Sequence, residues 1–306
     1  MRWDDFRRSS NIEDRRGDPS SGGGFGARGG GLGIGTIVVL GLVGWALGID
    51  PRWLIGAADV MSGLDQPQAS SPANTGSTAQ GPRAAPGDAM GQFVAAVLGD
   101  TEDRWQEIFA SAGQTYRPPS LVMFSGATRS SCGAAQAAMG PFYCPVDRRV
   151  YLDTSFFRQI ETRFHGCDVG SSACQFAEAY VIAHEVGHHV QNLLGILPQV
   201  HDMQASMGQA RSNQLQVRVE LQADCLAGVW ANRSQQKWKS LEPGDIEAAL
   251  RTASAIGDDT LQKQAQGYVV PDAFTHGSAE QRQRWLTAGL KGGTLDSCDT
   301  FNATRL

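Results

Sequence analysis

Residues 177–195 read AEAYVIAHEVGHHVQNLLG. Apolar residues recur at helical spacing, and Ala177, Val181, His184 and His188 share one face. On a helix, His184 and His188 stand one turn apart, at i and i+4. Their imidazoles can therefore converge on one tetrahedral Zn2+. Glu185 leaves the helix about 100° away, beside the ion rather than on it, where it faces the attacking water. Zinc makes water nucleophilic near neutral pH and polarises a carbonyl. Glu185 would take the water's proton and later return it to the leaving amine. His189 is out of phase with the pair and reads as a neighbour only.

Two histidines leave zinc short of a protein ligand. Downstream, Val219-Glu220-Leu221-Gln222-Ala223-Asp224-Cys225 lies in a helical run from about residue 214 to 232. Glu220 and Asp224 are again i and i+4. Ala223, Ala227 and Gly228 are small, so this helix can approach the His184 helix closely. Glu220 is assigned as the third ligand. Asp224 is assigned as the acceptor for the non-ligating nitrogen of a zinc histidine, most simply His184. A solvated face is the competing reading of the two carboxylates, and the Ala/Leu-rich run around Asp224 speaks against it.

HEVGHHVQ (184–191) followed by ELQADCLAGVWA (220–231) resembles the bacterial putative neutral zinc metallopeptidase family. GPFYCPVDRRVYLDTSFF (140–157) and FTHGSAEQRQRWLTAGL (274–290) are similar to further family segments. The resemblance covers nearly the whole chain. It implies a zincin-like fold with His184, His188 and Glu220 matching the zinc ligands and Glu185 the catalytic position. It does not supply a substrate.

In THGSAEQR (275–282), His276 and Arg282 are six apart, just before an amphipathic run. Oxyanion stabilisation in a zinc peptidase needs a donor opposite the general base. A transition-state role is therefore expected of His276 or Arg282, against a plain helix start capped by Ser278. Tyr143, Tyr151 and Tyr180 read as core or interface residues. The alternative is an edge strand that pairs with an extended peptide while Tyr151 or Tyr180 reaches it. Trp230, Trp238 and Trp285 read as packing residues.

Around this centre the chain divides by composition. Its 306 residues are 41% apolar and 19% charged, with a formal net charge of −5, enough for a core and unlike a basic nucleic-acid binder. Residues 1–30, rich in Gly, Ser, Arg and acids, read as a disordered cytoplasmic tail. Gly29–Ile49 carries no charge, and 31–49 is read as one uncleaved transmembrane helix. The arginines before it favour an N-terminus in the cytoplasm and everything after residue 50 outside, in the cell envelope or periplasm. Residues 50–89 read as a flexible linker, and 90–306 as the metallopeptidase domain.

All six cysteines follow the apolar run. Proximity suggests Cys132–Cys144 and Cys167–Cys174, which leaves Cys225–Cys298. Helices are expected at 90–112, 154–164, 174–194, 210–232, 242–265 and 277–290. Short strands are expected at 120–124, 142–144 and 149–152, the last two as a hairpin. The expected class is α+β, mainly helical with a small sheet. The expected function is a membrane-anchored zinc peptidase acting on peptide or protein outside the cytoplasm, with no nucleic-acid partner. The alternatives are a non-hydrolytic zinc-binding module of a membrane complex and a zinc hydrolase of another bond, such as a cell-wall amide.

Overall fold

The computed structural model of the chain describes residues 1–18 and 87–306. They form an α+β domain in which helices dominate. The strands are β1 (Ile12–Asp14), β2 (Ser120–Phe124), β3 (Ala127–Ser130), β4 (Gly133–Gln136), β5 (Phe142–Cys144) and β6 (Arg149–Asp153). The helices are α1 (Ala89–Ser111), α2 (Ser155–Thr162), α3 (Cys174–Leu193), α4 (Ile196–Gln204), α5 (Gln209–Trp238), α6 (Asp245–Ala255), α7 (Asp258–Gln266) and α8 (Ala279–Gly292).

One sheet runs β1-β2-β6-β5, and β3-β4 is a separate antiparallel pair. β2 pairs in parallel with β1 and β6, and β5 closes antiparallel on β6 as the expected hairpin. Alternation sorts the side chains. Leu121, Met123, Val150 and Leu152 face the helical core, while Val122, Phe124, Phe142 and Tyr151 form a second cluster on the other face. α3 lies against α5 and α6, and α5 lies along α8.

Close helix contact requires small residues. A Cβ on Gly187 of α3 would lie 3.0 Å from the Ala223 carbonyl oxygen and 3.2 Å from Ala223 Cα, so the bare glycine sets the α3–α5 approach. Gly228 serves a different partner, the backbone of α8 at Leu286 and Leu290. The single helix expected over 242–265 is broken after Ile256. There a Cβ on Gly257 would meet Ala279 N at 2.5 Å, and the Asp258 amide donates to the Gly277 carbonyl. The chain turns at that point to hold the loop before α8. The β3–β4 pair and α4 were not expected.

All three expected disulfides are present: Cys132–Cys144, Cys167–Cys174 and Cys225–Cys298. The disordered tail expected over 1–30 is corrected for residues 1–18, which pack on the domain. Met1, Phe6 and Ile12 are buried. Arg7, Ser9 and Asn11 converge on the Glu102 carboxylate of α1, and Arg16 pairs with Asp88, the N-cap of α1. Composition counts apolar side chains and misses this kind of order, which comes from strand pairing and one buried acceptor. Residues 19–86 lie outside the described residues. With them lie the expected transmembrane helix at 31–49 and most of the expected linker. Among the described residues no helix is long and apolar enough to cross a membrane. Because β1 pairs with β2, residues 1–18 and the domain share one side of any membrane. That corrects the expected split between a cytoplasmic tail and an external domain.

Candidate metal centre

α3 presents His184 and His188 one turn apart, and their rings sit edge to face with centroids 4.8 Å apart. α5 brings Glu220 up to them. Its Oε2 is 3.3 Å from His184 Nε2 and 3.4 Å from His188 Nε2. Ligands 2.0–2.1 Å from a tetrahedral zinc stand about 3.3 Å apart along each edge. The two measured separations therefore match the edge lengths of such a ligand set. The three residues form one of two groups among the described residues whose ligand atoms cluster this way. The other contains Cys167 and Cys174, which are spent in a disulfide.

Each ligand is aimed by a partner, as is usual around metal sites. His184 Nδ1 donates to Asp224 Oδ1 at 2.9 Å, and His188 Nδ1 donates to Gln191 Oε1 at 2.9 Å. Gln216 Nε2 donates to Glu220 Oε1 at 2.9 Å, which leaves Oε2 for the centre. Both imidazoles thus present Nε2 inward. Asp224 is fully buried and also accepts from Tyr180 Oη at 2.6 Å. Arg282 completes its shell with Nε to Oδ2 and Nη2 to Oδ1, each 2.9 Å. Burial alone would raise the Asp224 carboxyl, but Arg282 and His184 outweigh it and hold it well below the usual range. Burial alone would lower His184, and Asp224 with Glu220 raises it instead. His184 thus sits between two carboxylates, Asp224 at Nδ1 and Glu220 at Nε2, a setting that suits a cation.

Glu185 is 7% exposed, and its Oε2 is buried with no hydrogen-bond partner among the described residues. A buried orphan carboxylate oxygen is costly, and one beside three convergent ligand atoms fits a group that handles a water and its protons. The donor set and the orphan oxygen together fit zinc.

The structure separates the two residues given a transition-state role from sequence. Arg282 is buried behind Asp224. Besides the carboxylate its guanidinium reaches the Tyr180 hydroxyl and the Ile256 carbonyl, so it braces Asp224. His276 is half-exposed. Its Nδ1 lies 3.3 Å from Asp258 Oδ1, and its Nε2 has no partner among the described residues. Burial lowers His276, but Asp258 outweighs that and raises it, with a further push from the nearby charge of Glu220. Asp258 was missed from sequence. Its Oδ2 accepts three successive amides, from Thr275, His276 and Gly277. Gln191 was also missed, although its i+3 spacing from His188 is readable.

The tyrosines are occupied elsewhere. Tyr180 binds Asp224, and Tyr151 donates to Asp147 on the far sheet face. The Tyr143 hydroxyl donates to His189 Nδ1 at 3.0 Å while His189 Nε2 donates to the Arg117 carbonyl. Burial pushes His189 down to about 4, so it is a neutral pin between α3 and the sheet. Trp230 and Trp238 both donate to Asp100, as packing residues.

The model of a family described as putative neutral zinc metallopeptidase matches residues 1–301. The chain is 46% identical over 305 residues to the uncharacterized protein YpfJ of Escherichia coli K12, covering 98% of this chain and 99% of that protein. It is 49% identical over 200 residues to the uncharacterized protein Rv2575 of Mycobacterium tuberculosis, covering 62% of this chain and 65% of that protein. No solved structure matches. A match over 1–301 spans α3 and α5, the loop before α8 and the N-terminal strand alike, and the chain belongs to the putative neutral zinc metallopeptidase family.

Proposed function

We propose that the protein is a zinc-dependent peptidase that hydrolyses peptide bonds with Glu185 as general base. The observation that carries this reading is the orphan Oε2 of Glu185 beside the converging atoms of His184, His188 and Glu220. A closed structural site needs no general base, and the intact Glu185 therefore favours hydrolysis over a purely structural zinc module.

His184, His188 and Glu220 would hold the ion. Zinc, when bound, supplies Lewis acidity to the substrate carbonyl and makes water nucleophilic near neutral pH. Glu185 takes the proton of the attacking water on Oε2 and gives it to the leaving amine. His276, whose protonated form Asp258 favours, offers its Nε2 hydrogen to the oxygen that becomes negative in the transition state. Asp224 fixes the His184 tautomer, and Arg282 and Tyr180 hold Asp224 in place. The substrate class is peptide or protein.

Three disulfides with no free cysteine among the described residues support an oxidising compartment for the domain. Attachment to a membrane rests on the charge-free run 29–49 alone, and fractionation of cells carrying a chain without that run tests it. For the activity, the test is elemental analysis of the purified full chain combined with peptide-library cleavage. About one zinc per chain and chelator-sensitive cleavage are expected. Stoichiometric zinc without cleavage of any peptide would overturn the peptidase reading and leave the structural module or a hydrolase of another bond.

A further inference from the structure

The second zinc histidine is tied to the far end of the chain by a line of side-chain amides. His188 Nδ1 donates to Gln191 Oε1 at 2.9 Å. Gln191 Nε2 donates to Val219 O at 2.8 Å and to Gln222 Oε1 at 3.0 Å. Gln222 Nε2 donates to the Cys298 carbonyl at 3.0 Å. Cys298 is the last residue of a short 3-10 turn (Leu295–Cys298) and is disulfide-bonded to Cys225 of α5. Gln191 and Cys298 are almost wholly shielded from water, and Gln222 is buried. An unmatched amide in this line is therefore penalised.

The direction of the line follows from its ends. A histidine that gives Nε2 to a metal carries its proton on Nδ1 and must donate there. Gln191 must then offer its oxygen to His188 and its nitrogen to Gln222. Reversing Gln191 would set an N–H group against an N–H group. At the far end a backbone carbonyl can only accept, so Gln222 cannot reverse either. Hydrogen bonds that all point one way reinforce each other. The Cys225–Cys298 disulfide keeps the Cys298 carbonyl in place, one residue along α5 from Asp224. Both zinc histidines are thereby braced from the same stretch of α5, His184 through Asp224 and His188 through Gln222.

We infer that Gln191 and Gln222 are positioning residues for His188, and that the Cys225–Cys298 crosslink sets zinc affinity through them. This rests on the zinc site proposed above. Neither glutamine touches the substrate. Their effect is to fix the tautomer and aim of His188, so the quantity they govern is metal affinity.

The experiment is a zinc titration of the full chain against a chromogenic chelator, with the visible spectrum of the Co2+-loaded protein as a second readout. Gln191→Leu is expected to weaken zinc binding about 10- to 100-fold, the usual loss for an outer partner of a metal ligand. Gln191→Glu restores an acceptor for His188 but sets its second oxygen against Val219 O and Gln222 Oε1, so it is expected to recover only part of that loss. Gln222→Leu, one bond further out, is expected to cost about threefold to tenfold with both cysteines intact. The double substitution Cys225→Ala/Cys298→Ala should cost a similar factor, and adding Gln222→Leu to it should cost no more. Both act through the same line, so their effects should not add. The Co2+ spectrum should shift in Gln191→Leu and move back toward the wild-type spectrum in Gln191→Glu. Wild-type affinity in Gln191→Leu, or fully additive losses for Gln222 and the crosslink, would overturn the inference. Failure of the wild-type chain to bind zinc would instead remove the proposed function, so the two failures are distinguishable in the same titration.

Discussion

Arg282 holds Asp224 through two parallel hydrogen bonds, Nε to Oδ2 and Nη2 to Oδ1, each 2.9 Å long. The pair is buried, and removing one partner leaves the other charged and unmatched. Arg282→Ala should therefore lower stability by about 3–5 kcal/mol and weaken zinc binding about tenfold through Asp224 and His184. Urea denaturation and a zinc titration check the two effects. Wild-type stability in the variant would show that the pair does not brace the site.

Glu185→Gln keeps size and hydrogen bonding but cannot accept a proton. Zinc content and melting temperature should stay near wild type, with cleavage of a fluorogenic peptide slowed at least about a hundredfold. Full activity with zinc bound would exclude Glu185 as the base.

The Asp258–His276 pair predicts the alkaline limb of the pH profile. Asp258 raises His276 and His276 lowers Asp258, so the pair stays charged across a wider interval than either group alone. Activity that depends on the His276 proton is present below its folded pKa and is lost as pH rises through it. Asp258→Asn should move that limb to lower pH, and His276→Gln should lower the plateau and remove the limb. An alkaline limb that stays put in Asp258→Asn would count against the assignment.

Glu178 of α3 is raised to about 7 by burial and by the neighbouring charge of Glu161. Between the unfolded value and about 7 the folded state holds a proton that the unfolded state has released. Stability therefore falls as pH rises through that window. Glu178→Gln should stabilise the protein above pH 7, by at most roughly 3 kcal/mol, and change little in the acid range below the unfolded value. Melting curves across that range test the sign.

Removing residues 1–16 should unfold more than a tail. β2 would lose its outer partner, and the burial of Met1, Phe6 and Ile12 would be lost. A cost of about 3 kcal/mol or more is expected from the apolar surface alone, measurable by urea denaturation. A truncated chain of unchanged stability would mean that β1 contributes nothing to the fold.

What the sequence disclosed follows the range of the interactions. His184, His188, Glu220 and Asp224 are legible because i and i+4 spacing on two helices fixes which side chains meet. The cysteine pairing was legible from spacing and elimination. Gln191 obeys the same helical rule and was overlooked only because an amide is not a metal ligand. Asp258 had no such signal. It meets His276 because the chain breaks at Gly257 and folds back on Ala279, an encounter no local period encodes. Arg282 was grouped with His276 by proximity in sequence. The capping box at Ser278 starts α8 between them, and the helix turns Arg282 into the core. Residues 1–18 were misread because their order comes from β2 and Glu102, more than 80 residues away.

The Arg16–Asp88 pair has a geometric consequence. It brings the end of the N-terminal strand segment beside the N-cap of α1, so these two described segments end and begin side by side. The ion pair works as a clasp: the first strand and the first helix are fastened to each other at their near ends, in addition to the strand's pairing with β2.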